Sequence, residues 1–141
     1  MATITASLTL TSDITTYGLG ISKSMTLTKA GTEIGIEDTN GLRIKSLTGT
    51  GAVVLELAAD ATASGANKVY IRNTSADKAE HVKISFNASA SAATTVQAIG
   101  RLYGGDWMLI PWEANGTTHN ICAAPSSVVN PITVEYMTFH Q

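Results

Sequence analysis

Apolar and polar residues alternate in short runs along most of the chain, and this pattern predicts β-strands. The first clear run is 3–11, where Thr and Ser residues alternate with an apolar row formed by Ile4, Ala6, Leu8 and Leu10. A period of two places alternate side chains on opposite faces, so this run is a half-buried strand. Further runs of this kind are found at 24–28, 33–37, 42–47, 52–57, 68–73, 81–86, 96–103, 106–112 and 132–139. No stretch carries the 3.6-residue apolar period of a helix.

About ten short strands at a spacing of 8–12 residues are typical of an all-β sandwich or barrel. We predict an antiparallel β-sandwich with a jelly-roll-like topology, because long connections of small residues suit strands that return between sheets. An immunoglobulin-like sandwich is the alternative, although the Cys…Trp…Cys framework of true immunoglobulin domains is absent. The 141 residues are interpreted as one domain, 1–141, in which 1–11 form either an arm or an edge strand.

The segment 100–112 contains both tryptophans and a Gly-Gly-Asp turn at 104–106 between two apolar runs. Glycine reaches positive φ without a steric cost, so the turn predicts a hairpin formed by 96–103 and 106–112. Pro111 has no backbone N–H and therefore predicts that the second strand lies at a sheet edge or ends there.

The aromatic residues of this segment are the main candidates for a functional surface. Alternation places Trp107 and Trp112 on opposite faces, so one fills the core and the other contacts solvent or a neighbouring chain. The alternative is that both are buried in one thick core. Together with the polar row of the first strand, they give a candidate protein interface formed by Tyr103, Trp107, Trp112, Thr3, Thr5, Ser7 and Thr9.

Composition and charge favour a structural protein over several other classes. Charged residues make up only 14% of the chain, against roughly 25% in an average soluble protein. The net charge is −2 and the nine Lys and Arg residues are scattered, so we expect no nucleic-acid partner. No segment approaches the roughly 18 apolar residues of a membrane span, so we expect no membrane partner.

Residues with catalytic or metal-binding chemistry are few and dispersed. A catalytic triad requires a nucleophile beside an oriented base, and the three histidines (His81, His119 and His140) fall in separate parts of the chain. His119 and Cys122 are spaced as two zinc ligands, but a closed site requires four, so Cys122 is interpreted as a buried thiol. We therefore predict that the protein is not an enzyme and holds no metal or cofactor.

Two segments and the last strand resemble a known class of protein. They are Ile99-Gly-Arg-Leu-Tyr-Gly-Gly-Asp-Trp-Met-Leu-Ile-Pro-Trp112, Val69-Tyr-Ile-Arg-Asn-Thr-Ser75 and Val134-Glu-Tyr-Met137. From Lys68 onward the chain resembles small virion proteins of tailed bacteriophages, in particular capsid decoration or cement proteins.

The resemblance implies a mechanical function without turnover or cofactor. Proteins of this class bind the outside of an icosahedral capsid, often as trimers, and stabilise contacts between capsomers. The implied partners are the major capsid protein and other copies of the chain in a homotrimer. The implied location is the capsid exterior of the virion, after synthesis in the host cytoplasm. The alternative is a receptor- or carbohydrate-binding module of a phage fibre or baseplate, with Tyr103 and a tryptophan as a platform.

Overall fold

The structure, a computed structural model, describes residues 3–12, 19–28, 32, 34–36, 38–49, 51–56, 58–61, 65–87, 98–114, 119–126 and 130–140. Within these residues the chain forms eleven β-strands and one 3-10 turn at Ala58–Asp60. The strands are β1 (Ile4–Ser12), β2 (Leu19–Leu27), β3 (Asp38–Thr39), β4 (Arg43–Leu47), β5 (Val53–Glu56), β6 (Lys68–Asn73), β7 (His81–Asn87), β8 (Ala98–Tyr103), β9 (Trp107–Pro111), β10 (Asn120–Pro125) and β11 (Ile132–His140). Residues 1, 2, 33, 37, 57, 96 and 97, which belong to the predicted arm and strands, lie outside the described residues.

Strands β3 to β11 form two antiparallel sheets that pack as a sandwich, which confirms the predicted fold class. In sheet one the strand order is β3-β11-β6-β9. β4 also pairs with β11, on the same edge as β3 but at different residues. Sheet two has the order β5-β10-β7-β8. A jelly-roll-like or an immunoglobulin-like topology stays a prediction.

The core lies between the two sheets and is built from the alternation seen in the sequence. Val69 and Ile71 of β6 are fully buried, as are Val82 and Ile84 of β7, while Tyr70 and Arg72 face outward. Full burial of an aliphatic side chain of this size contributes about 1.5–3 kcal/mol to stability. The alternation of 68–73 and 81–86 in the sequence predicts these same inward residues, and this prediction is correct.

The Gly-Gly turn at 104–106 does not form the predicted hairpin. β8 pairs with β7 in sheet two, whereas β9 pairs with β6 in sheet one. The turn therefore carries the chain from one sheet to the other, because both strands have apolar residues to place in the core from opposite sides. The prediction that Pro111 ends an edge strand is correct, since β9 is the last strand of sheet one and ends there.

The close spacing of the runs 33–37, 42–47 and 52–57 in the sequence predicts a meander of neighbouring strands, and this prediction is wrong in its pairing and partly in its phase. β4 pairs with β11 and β5 pairs with β10, so these neighbours in sequence belong to different sheets. The sequence pattern places Leu42 and Ile44 inward, but both are exposed and Leu47 is the buried residue of β4. Leu47 lies opposite Ile132 of β11, and this pairing sets the phase of the strand.

β1 and β2 form a two-stranded sheet of their own, which we call the arm hairpin. Their antiparallel register runs without interruption from Ile4 opposite Leu27 to Ser12 opposite Leu19. Among the described strands neither β1 nor β2 pairs with a strand of the sandwich. Within the described part of the chain, β1 therefore pairs with β2 and with no strand of the two sandwich sheets.

Candidate functional site

The arm hairpin is attached to the rest of the chain at its base. Leu27 is buried, and its carbonyl oxygen accepts a hydrogen bond from the backbone N–H of Ile36 at 2.8 Å. Thr28 and Gly35 form a bridge next to this bond. Gly35 lies so close to the methyl group of Thr3 that an added Cβ would approach it to 3.1 Å. These contacts attach the base of the arm hairpin to residues 35 and 36.

Beyond the base, the apolar row of the arm hairpin is exposed. Leu8 is 40% exposed, Leu10 43% and Met25 57%, and Ile21 belongs to the same row. Covering these four side chains would contribute on the order of 3–5 kcal/mol, by the ordinary values for burial of aliphatic residues. A two-stranded hairpin is only marginally stable in water without a partner for its apolar face. The row is therefore an exposed apolar surface that the described part of a single chain leaves uncovered.

The polar row of β1 lies on the opposite face of the hairpin. Thr3, Thr5, Ser7 and Thr9 of the predicted interface are all exposed. Ser7 Oγ donates a hydrogen bond to Oγ of Ser24 on β2 at 3.2 Å. The assignment of these four residues to a protein contact stays a prediction. Leu8 and Leu10 of the apolar row were not among the predicted interface residues. The unbroken alternation of 3–11 is the sequence signal that could have included them.

The apolar row faces β9 across a groove of about 280 Å³, which we call the arm groove. It is lined by Ala6, Ser7, Leu8, Lys23, Ser24, Met25, Trp107 and Leu109. A wider groove of about 550 Å³ adjoins it, where Leu8 and Leu10 face Leu102, Met108 and Ile110. The predicted interface residue Trp107 and the predicted arm are therefore brought together at one surface.

Trp107 forms the outer wall of the arm groove and is 52% exposed. Its ring lies 6.4 Å from that of Tyr70 on the neighbouring strand β6. The Tyr70 hydroxyl donates a hydrogen bond to Glu135 Oε1 at 2.7 Å, and Arg72 Nη1 lies 3.4 Å from the same oxygen. Desolvation and the bond to Glu135 raise the pKa of Tyr70 above its ordinary value. This cross-strand network holds the aromatic wall in place.

The backbone of β9 also has hydrogen-bonding groups on the side that faces away from β6. At one end of β9 the N–H of Trp112 donates to the carbonyl oxygen of Asn67. At the other end the carbonyl oxygen of Asp106 accepts a hydrogen bond from the N–H of Asn73. Residues on an antiparallel strand alternate between bonding to the partner and pointing away from it. The N–H and C=O groups of residues 107 and 109 therefore point away from β6, and no other described strand pairs with β9.

The turn at 104–106 fixes where β9 begins. The N–H of Asp106 donates to the Tyr103 carbonyl oxygen at 2.8 Å, and the N–H of Gly105 donates to the Asn73 carbonyl oxygen at 2.9 Å. Gly105 has a φ of 88°, which favours glycine. Asn73 is fully buried, and its Nδ2 donates to the Leu102 carbonyl oxygen at 3.0 Å. These bonds position Trp107 at the start of the exposed edge.

The other two aromatic residues of the predicted interface lie elsewhere. Trp112 is only 2% exposed, and its Nε1 donates to the carbonyl oxygen of His119 at 2.8 Å, so it belongs to the core. Tyr103 follows the buried Leu102 and lies on the outer face of sheet two, with its ring 5.3 Å from that of His81. Trp107 lies on the outer face of sheet one, so Tyr103 and Trp107 do not share a binding platform.

The described residues contain no group of three or more His, Cys, Asp or Glu side chains placed to hold a metal ion. Cys122 is buried, and its Sγ lies 3.7 Å from the carbonyl oxygen of Asn120. The interpretation of Cys122 as a buried thiol is confirmed. None of the described residues forms a helix long and apolar enough to cross a bilayer.

Comparisons of the chain with protein-family models, with curated proteins and with solved structures find no match.

Proposed function

We propose that this protein is a non-enzymatic structural protein of a bacteriophage virion, which binds the outer surface of the capsid and stabilises contacts between capsomers. Its partners are the major capsid protein and further copies of the chain in a homotrimer with a jelly-roll-like fold. The observation that carries the proposal is the arm hairpin with its exposed apolar row beside the arm groove. An apolar surface of this kind is typical of a subunit that becomes covered in an assembly.

Two further features support an assembly on a shell of repeated subunits. The surface is poor in charge, with 14% charged residues in the chain, which permits close packing against other protein. Many copies bind one shell together, so a modest contact per copy is sufficient. The resemblance of 99–112 and 69–75 to decoration proteins supports a phage capsid as the shell.

Co-sedimentation with capsid shells tests this function. Shells assembled from phage major capsid protein are mixed with the purified protein and separated on a density gradient. We expect the protein to migrate with the shells, to saturate at a fixed copy number, and to raise the temperature at which the shells dissociate. A protein that stays at the top of the gradient at every salt concentration contradicts the proposal.

Receptor or carbohydrate binding is a second candidate function, favoured by the exposed ring of Trp107 next to Tyr70, Arg72 and Glu135. An aromatic face beside polar groups is the arrangement that stacks on a sugar ring and orients it. Trp112 is buried, so a change in tryptophan fluorescence on ligand addition reports mainly on Trp107. Titration with host surface polysaccharides that leaves the spectrum unchanged excludes this candidate.

A further inference from the structure

We propose that the outer face of sheet two binds an acidic segment of a partner protein through Arg101 and Lys83. The inference deepens the proposed function, because it names a surface and a chemistry by which the chain docks on another protein. It rests on the proposed function only for the premise that the partner is a protein.

Two cationic residues lie side by side on the outer face of sheet two. Lys83 of β7 is directly opposite Arg101 of β8 in the antiparallel register. Val82 and Leu102, their neighbours in sequence, are buried, so alternation places the two charged side chains outward. Arg101 is exposed and Lys83 is half-buried. Both charges therefore belong to the same patch of surface.

The hydrogen-bond pattern makes these two residues a close pair. The N–H of Gly104 donates to the carbonyl oxygen of Glu80 at 3.0 Å, so these residues form a hydrogen-bonded pair of the ladder. Bonded and non-bonded pairs alternate along an antiparallel ladder, which makes Arg101 and Lys83 a non-bonded pair. The Cα atoms of such a pair are about 4.5 Å apart, and like charges in this position are unfavourable. An anion bound by both cations removes this repulsion.

Sheet two supplies little negative charge of its own to this face. Glu56 of β5 is the only acidic residue in its four strands. Glu56 Oε2 accepts hydrogen bonds from Asn40 Nδ2 at 2.7 Å and from Arg43 Nη1 at 3.2 Å, and the side chain is buried. The charge of Glu56 is therefore paired with Arg43 at another edge of the sandwich.

The acidic residues beside the ends of β7 and β8 are engaged in other contacts. Glu80 precedes β7, and its Oε2 accepts a hydrogen bond from Ser75 Oγ. Asp106 follows β8, and its Oδ2 accepts one from the N–H of Tyr103 at 2.9 Å. The two ion pairs found among the described residues do not include Arg101. Arg101 therefore has no acidic partner in the part of the chain that the structure describes.

The backbone of β8 favours a polypeptide as the occupant. β8 is the last strand of sheet two, and among the described strands it pairs with β7 alone. Since Arg101 belongs to a non-bonded pair, its N–H and C=O groups point away from β7, towards the open edge. An extended segment beside β8 bonds to these groups, while its carboxylates reach the guanidinium, which binds a carboxylate through two parallel hydrogen bonds. A polysaccharide lacks the regular series of N–H and C=O groups that fits a strand edge.

The next pair along the ladder adds an aromatic surface to the two cations. His81 lies opposite Tyr103, and their rings are 5.3 Å apart on the same outer face. Tyr103 is 42% exposed, so its ring is accessible to a bound segment. Tyrosine and arginine are the residue types that contribute most to protein interfaces. The predicted interface residue Tyr103 therefore belongs to this surface.

The first test measures binding of a fluorescein-labelled hexa-aspartate peptide by fluorescence anisotropy at low salt, because salt screens exposed charges. Arg101→Gln removes one charge from the proposed site, and Lys45→Gln removes one from an exposed position on β4 of sheet one. We expect Arg101→Gln to weaken binding about threefold to fivefold, the range of an exposed ion pair, and Lys45→Gln to leave it within about twofold. Equal weakening by the two variants overturns the inference.

The stability of the same variant shows whether Arg101 serves the fold instead. We expect the urea midpoint of Arg101→Gln to equal or exceed that of the parent protein, because the substitution removes a repulsion between neighbouring strands. A clear fall in the midpoint would assign Arg101 to the fold and overturn the inference.

The second test reverses the charge of the site. Lys83→Glu/Arg101→Glu is expected to lose binding of hexa-aspartate and to bind a hexa-lysine peptide at least about fivefold more tightly than Lys23→Glu/Lys45→Glu, which has the same net charge. Equal binding of hexa-lysine by both variants overturns the inference. Hyaluronate, a carboxylated polysaccharide, is titrated into the parent protein in parallel. If it binds more tightly than hexa-aspartate, the partner is a polysaccharide and the inference is overturned.

Binding to capsid shells separates the inference from the proposed function. If hexa-aspartate binds through Arg101 but no shell is bound, the inference stands and the virion function fails. If shells are bound and Lys83→Glu/Arg101→Glu changes neither shell binding nor peptide binding, the virion function stands and the inference is overturned.

Discussion

Trp107 and Trp112 lie on opposite sides of sheet one, although both belong to the segment that follows the turn at 104–106. Trp112 is buried in the core and donates a hydrogen bond from Nε1 to the carbonyl oxygen of His119. Trp107 is half exposed and forms a wall of the arm groove. One tryptophan therefore stabilises the fold and the other is available for contact.

This difference predicts opposite effects of two equivalent substitutions. We expect Trp112→Ala to lower the free energy of unfolding by about 3–5 kcal/mol, because it leaves a cavity in the core. Trp107→Ala is expected to change it by less than about 1 kcal/mol and to weaken self-association instead. Urea denaturation and sedimentation of both variants measure these effects. A similar loss of stability in both would contradict the assignment.

The turn that begins β9 gives a second prediction, from a pair of glycines. A Cβ at Gly104 would clash with the carbonyl oxygens of Ser75 and Asp77, whereas a Cβ at Gly100 would have no atom within 4 Å. We expect Gly104→Ala to destabilise the protein by about 1–3 kcal/mol, the usual range for a forced shift of packed groups. Gly100→Ala is expected to be neutral or slightly stabilising, because alanine loses less backbone entropy in a strand. If urea unfolds the Gly104→Ala and Gly100→Ala variants at the same midpoint concentration, the turn is not closely packed at Gly104.

Tyr70 gives a prediction about pH. Its pKa is raised above the ordinary value of 10.0 by desolvation and by the hydrogen bond to Glu135, so the folded state favours the neutral phenol. The stability from this group is fully present below pH 10 and is lost as the pH rises through the higher folded-state pKa. We expect the free energy of unfolding to fall above pH 10, and to fall less in Tyr70→Phe. Tyr103→Phe, which removes an exposed hydroxyl, is the control and is expected to follow the parent protein.

Cys122 gives a prediction about reactivity. Its thiol is fully buried in β10, so a thiol reagent reaches it only when the protein opens. We expect modification of the folded protein to be slow and to accelerate across the unfolding transition. A cysteine introduced as Thr9→Cys on the exposed row of β1 should react at once under the same conditions. Rapid modification of Cys122 in the folded protein would show that β10 is not in the core.

The short strands, their alternation and the end of β9 at Pro111 follow from the sequence, because these signals depend only on neighbouring residues. Alternation in β6, β7 and β11 correctly identified the buried residues, including Val69, Val82 and Val134. The all-β class and the sandwich follow from the number and spacing of such strands. The exposed position of one tryptophan and the buried position of the other follow from the same period.

Tertiary structure alone decided which strands are neighbours. The turn at 104–106 has the composition of a hairpin, yet β8 and β9 belong to different sheets because each has apolar residues that meet in the shared core. The exposure of Ile44 could not be predicted from the sequence for the same reason, because pairing with β11 determines which face of β4 is buried. Pairing between distant strands depends on contacts across the whole chain, and a shift of one residue exchanges the two faces of a strand. The arm groove exists only because this packing leaves β9 at an edge beside the arm hairpin.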